Sequence, residues 1–116
     1  MINAEFFDID GTYHREINGI TLDTIDELVS EAREKGGSGM VSLALSRSTK
    51  DYINLDYVGK DQFLLQTDRL VKTGSFWQRL FQYPRIIHTA NGDKAVKELL
   101  INYIERDRSE FEALYS

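Results

Sequence analysis

The sequence predicts an α+β protein, a mostly antiparallel sheet of five to six strands packed against two main helices. Three observations point there. Strand-like segments cluster together between two amphipathic helical segments instead of alternating with them. The connections inside that cluster are short and polar, which suits an antiparallel meander. Within the segments apolar residues alternate with polar ones, so one sheet face is buried and the other wet. A chain of 116 residues accommodates one such domain, 1–116.

The first element is a hairpin. Ile2 to Ile9 reads as a strand, Asp10-Gly11 as its turn and Thr12 to Ile17 as the return strand. Asn18-Gly19 turns the chain into a helix with Thr21 as N-cap. Asp23, Asp26 and Glu27 sit in its first turns, where the helix dipole favours acids. Leu22, Ile25, Leu28, Val29 and Ala32 form its apolar face, and Gly36-Gly37-Ser38-Gly39 is expected to stop it. Three strands follow. Val41 to Arg47 sets Val41, Leu43 and Leu45 against small residues. Ile53, Leu55 and Tyr57 alternate with Asn54 and Asp56, and Gln62 to Thr67 carries Phe63, Leu64 and Leu65. Ser46 to Asp51 and Gly59-Lys60-Asp61 connect them.

Ser75 to Gln78 has capping-box spacing and opens an aromatic turn with Phe76, Trp77, Leu80 and Phe81, ended by Pro84. Arg85 to Thr89 is a further strand. After Asn91-Gly92 a second helix runs from about Asp93 to Arg106, with Val96, Leu99, Leu100, Tyr103 and Ile104 on one face. Ser109 to Glu112 has the same box spacing and opens a short last helix.

Composition narrows the function classes. No stretch approaches the roughly 18 apolar residues of a membrane span. The opening MINAEFFD lacks the basic-then-apolar pattern of a secretion signal. The chain has no cysteine, which excludes disulfides and thiolate metal sites and suits a cytoplasmic location. With only His14 and His88, a histidine metal site would need several carboxylates to complete it, and no metal or cofactor is expected. His14 is read as an outward strand residue and His88 as structural. The net charge is −5, which repels nucleic-acid backbones and attracts basic partners.

Chemistry could reside in FFDIDGT, residues 6 to 12. A hairpin explains the stretch cheaply, since Asp-Gly is a strong turn signal and acids beside it discourage strand pairing. Together with NGITLDTIDELVSEAREKG and VSLALSRS, it also resembles the start of the sugar-phosphatase branch of the haloacid-dehalogenase superfamily. That resemblance implies a magnesium-dependent phosphatase, or an inactive relative of one. Asp8 would be the nucleophile, Asp10 the general acid/base and a magnesium ligand, Ser46 the phosphate-binding hydroxyl and Lys94 the neutralising cation. The chain offers no later apolar strand ending in acids to complete a magnesium shell.

Residues 20 to 107 resemble a second group, small bacterial immunity proteins of polymorphic and contact-dependent growth inhibition toxin systems. The features that match are ITLDTIDELVSEAREKG, VSLALSR, DYINLDYVGKDQFLLQTD and AVKELLINYIERD in that order. This resemblance implies a non-enzymatic inhibitor that plugs the active-site cleft of one cognate toxin, a basic nuclease by charge complementarity, with no direct contact to nucleic acid or membrane. It carries over no functional residues. The toxin-binding candidates are therefore nominated from charge and aromaticity: Glu5, Asp8 and Asp10 of the hairpin, Asp56 and Asp61 of the meander, and Trp77 and Tyr83 as anchors. Each has a bland counterpart, a solvated acid or a core aromatic.

Overall fold

The computed structural model describes residues 1–8, 14–39, 41–68 and 85–115. Six strands form one sheet in the order β2-β1-β3-β4-β5-β6, with every neighbouring pair antiparallel. They are β1 (Asn3–Phe7), β2 (His14–Ile17), β3 (Ser42–Ser48), β4 (Asp51–Gly59), β5 (Gln62–Asp68) and β6 (Arg85–Asn91). The helices are α1 (Ile25–Gly39), entered through a 3-10 turn at Leu22–Thr24, then α2 (Gly92–Glu105) and α3 (Arg108–Tyr115). The α+β class and the antiparallel sheet are as the sequence predicts. The Asp10-Gly11 turn and the aromatic segment 75–84 lie outside the described residues.

Alternation sets the layers. Ala4 and Phe6 of β1, Leu43 and Leu45 of β3, Ile53 and Leu55 of β4, Phe63 and Leu65 of β5, and Ile86 and Ala90 of β6 are buried in one core. The helices cover that face: α1 packs on β3 and β4, α2 on α1, β5 and β6, and α3 on α2 and β6. Ile25, Leu28, Val29 and Ala32 of α1 and Val96, Leu99, Leu100 and Tyr103 of α2 supply the helical half of the core. Leu22 does not join them, being 46% exposed, because the 3-10 turn advances side chains out of the helical phase that the sequence suggested.

Two helix boundaries differ from expectation and one agrees. The Gly36-Gly37-Ser38-Gly39 run does not stop α1, which continues through Gly39. A Cβ at Gly36 would stand 2.8 Å from the Cβ of Tyr57, so the glycine is a packing device that lets the helix lie close on β4. At the entry to α1, Thr21 is the N-cap as expected, here of the 3-10 turn, and its N–H donates to the Thr24 hydroxyl at 3.2 Å. The last helix begins one residue before Ser109, and its first turn is capped by Asp107, whose Oδ1 accepts from the Glu110 N–H at 2.8 Å.

The β4–β5 turn uses Lys60 and Asp61, both left-handed at φ 53 and 59, as a type I′ hairpin turn requires. Its Asp61 carbonyl accepts the N–H of Gly92 at 2.6 Å, and Gly92 itself takes φ 85 where β6 turns into α2.

Candidate functional site

The helix-bearing side of the sheet is held together by two ionic clusters. In the first, the Arg108 side chain of α3 is 5% exposed and reaches the start of β4. It donates to Asp51 Oδ1 at 3.0 Å, to the Tyr52 carbonyl and Thr67 Oγ1 at 2.8 Å each, to the Asp68 carbonyl, and to Glu112 at 3.0 Å. The Tyr103 hydroxyl donates to the same Asp51 carboxylate at 3.0 Å. Arg47 donates to Asp51 Oδ2 at 3.1 Å and lies 4.3 Å over the Tyr103 ring. Burial, and then the Asp51 charge, push the Tyr103 phenol well above its ordinary range. Two arginines face Asp51 and Glu112, so the cluster balances its own charge and fastens the C-terminal helices to the sheet.

In the second cluster, Arg33 of α1 donates to Asp61 and Asp93 and lies 5.3 Å from the Tyr57 ring centre and 5.8 Å from that of Phe63. The hydrogen bonds to those two carboxylates hold its guanidinium even more firmly protonated than usual. Arg15 reaches Glu31 of α1, and Lys97 of α2 lies 2.9 Å from Asp26. Much of the chain's basic charge is thus spent among the helices.

The opposite face of the sheet has no helix on it among the described residues. The pairing register lays its side chains out in rows. One row runs Glu16, Glu5, Ala44, Asn54, Gln66, Ile87, and the next runs His14, Phe7, Ser42, Asp56, Leu64, Thr89. Glu5, Glu16, Asp56 and Asp68 are the acids on it, and Arg85 of β6 pairs with Asp68 in the register. Ser42 donates to Asp56, and the Tyr52 hydroxyl donates to Asp68 at 2.9 Å. At the β1–β2 end, His14 Nε2 lies 2.8 Å from Glu5 Oε1 and 3.6 Å from Glu16 Oε1. Of the described residues, these three form the group whose geometry could hold a metal.

The nominated residues do not share one surface. Glu5 and Asp56 both lie on the helix-free face, two strands and two residues apart, roughly 12 Å from strand spacing and rise. Asp8 follows Phe7, so alternation turns it to the helix-bearing side, where it is half-buried. Asp61 sits in the β4–β5 turn and is engaged by Arg33. Asp10, Trp77 and Tyr83 lie outside the described residues.

The residues of the phosphatase resemblance are also dispersed. That chemistry needs the nucleophile and the phosphate-binding hydroxyl at neighbouring strand ends. Here β1 and β3 are antiparallel. Ser42 pairs with Phe7, next to Asp8, while Ser46 pairs with Asn3 at the far end of β1, about 13 Å along the strand. Lys94 belongs to the first turns of α2, on the helical layer.

Sequence reasoning missed Glu16 and the Asp51–Arg108 cluster. For Glu16 a signal existed, since it alternates with His14 on a return strand opposite Glu5. For Arg108 little did, because its partners on the sheet are 40 to 57 residues away in sequence. No protein-family model, curated protein or solved structure matches this chain. No helix among the described residues is long and apolar enough to cross a membrane.

Proposed function

We propose that this protein is a cytoplasmic inhibitor that binds and neutralises a basic bacterial toxin, as immunity proteins of contact-dependent growth inhibition systems do, and that it presents the helix-free face of its sheet to the toxin's active-site cleft. One observation carries the reading. Several acidic side chains of the helical layer are engaged by Arg15, Arg33, Arg47, Lys97 and Arg108, whereas Glu5, Glu16 and Asp56 stand on the opposite face with no lysine or arginine directly across from them in the strand register. Those three carboxylates give the helix-free face a fixed negative charge. Carboxylates fixed on strands lose little entropy on binding and can occupy the positions of substrate phosphates in a nuclease cleft. The separation of Asp8 from Ser46 favours this reading over a magnesium-dependent phosphatase.

The test is co-expression with the product of the neighbouring gene. The expected result is a stable complex and relief of growth arrest, both lost in the double charge reversal Glu5→Lys, Asp56→Lys. Absence of any complex would sink the proposal. So would magnesium-dependent hydrolysis of an aryl phosphate that disappears in Asp8→Asn.

A further inference from the structure

We propose that Glu5, His14 and Glu16 form a binding site for a divalent transition-metal ion of the zinc class, with three protein ligands and one coordination position left for water or a partner's side chain. The argument starts from strand pairing. The β1–β2 register sets Glu5 directly opposite Glu16 and places His14 diagonally across from Glu5 on the same face. Like charges directly opposed across a ladder are unfavourable, so this pair calls for a cation. The imidazole stands beside both carboxylates, with Nε2 2.8 Å from Glu5 Oε1 and 3.6 Å from Glu16 Oε1. All three donor atoms lie within 4.8 Å of one another.

An ion held tetrahedrally at about 2.0–2.2 Å from each ligand has its donor atoms about 3.4 Å apart. The observed separations bracket that value, and small rotations of the two glutamate side chains would equalise them. The donor set selects the ion. Magnesium and calcium take oxygen ligands, whereas one imidazole nitrogen with two carboxylate oxygens suits zinc and its neighbours. A dication on two carboxylates and a neutral imidazole leaves no net charge, which removes the cross-strand repulsion. Because both strands belong to one hairpin, the ligand geometry is set locally. The sequence predicts no metal because the shortage of histidines leaves such a site dependent on carboxylates, and the hairpin register brings two of them together. This inference does not depend on the inhibitor reading.

The chain contains only two histidines and no cysteine, which makes the test clean. His88 is on β6, packed edge-on against Tyr115 with ring centres 5.0 Å apart, and serves as the internal control. Zinc chloride is titrated into the intact protein by calorimetry, and the two imidazole rings are followed by NMR. The expected result is one saturable site per chain, with the His14 ring signals shifting and those of His88 unmoved. Glu16→Gln should weaken binding more than tenfold, His14→Ala should abolish it, and His88→Ala should leave it unchanged. Far-UV circular dichroism checks that each variant keeps its fold. No saturable binding to the wild-type chain, equal binding in His14→Ala, or a shift of His88 instead of His14 would each overturn the proposal.

Discussion

Replacing Arg108 by methionine is expected to cost about 3 kcal/mol of folding stability, at the low end of the range for breaking a buried ion pair from one side. The arginine side chain is 5% exposed and donates to Asp51, Tyr52, Thr67, Asp68 and Glu112. Methionine fills much of the volume but donates nothing. Some of the loss is cushioned. Asp51 keeps Arg47 at 3.1 Å and Tyr103 at 3.0 Å, and the Tyr52 carbonyl keeps the Thr67 hydroxyl. With a urea slope of about 1.5 kcal/mol/M, the unfolding midpoint should fall by about 2 M. At about 4 °C per kcal/mol, Tm should fall by about 12 °C. Lys97→Ala is the control. Its partner Asp26 is 81% exposed, and losing that pair should cost under about 0.5 kcal/mol. If Arg108→Met shifts the urea midpoint no more than Lys97→Ala does, the cluster does not fasten the C-terminal helices and the reasoning fails.

Further expectations can be checked on the same purified protein. Gly36→Ala removes a helical glycine, which alone would stabilise by about 1 kcal/mol, but its Cβ would meet Tyr57 Cβ at 2.8 Å. Overpacking of about 1–3 kcal/mol should make the variant less stable, and a raised Tm would disprove the close contact. Lys60→Asn should stabilise by about 0.5 kcal/mol, since asparagine tolerates the left-handed backbone at φ 53 better than lysine does; a lower urea midpoint would argue against that turn. The Tyr103 phenol ionises near pH 10 when unfolded and only at higher pH when folded, because burial and then Asp51 oppose the phenolate. Its contribution is therefore complete below about pH 10 and is lost as pH rises from there through the folded value. Urea midpoints measured from pH 8 to 11 should fall more steeply for the wild type than for Tyr103→Phe; parallel curves would contradict the assignment.

Much of the architecture could be read from local pattern. Strand alternation in Leu43, Leu45, Ile53, Leu55, Phe63 and Leu65 named the buried face, and the helical spacing of Val96, Leu99, Leu100 and Tyr103 named what covers it. The errors came where a residue's local preference conflicted with a distant partner. Four residues from Gly36 to Gly39 look like a helix stop, yet Tyr57 on another strand gives Gly36 a reason to remain in the helix. Ser109 has capping-box spacing, yet Asp107 holds the cap. The candidate site was less legible. Acidic residues were identifiable, but whether Glu5 and Asp61 shared a surface depended on which side of the sheet each faced and on whether a cation had already engaged it.

The order of residues was enough to dictate the α+β class, the antiparallel meander, the apolar sides of both long helices and the excess of acid over base, because each follows from short-range periodicity or simple counting. Folding added the pairings. It set Glu5 across from Glu16 with His14 alongside, carried Arg108 to Asp51, and moved Ser46 to the far end of β1 from Asp8. The first follows from the register of one hairpin, but the other two depend on strand order and on how the whole core packs, which no local stretch of sequence specifies.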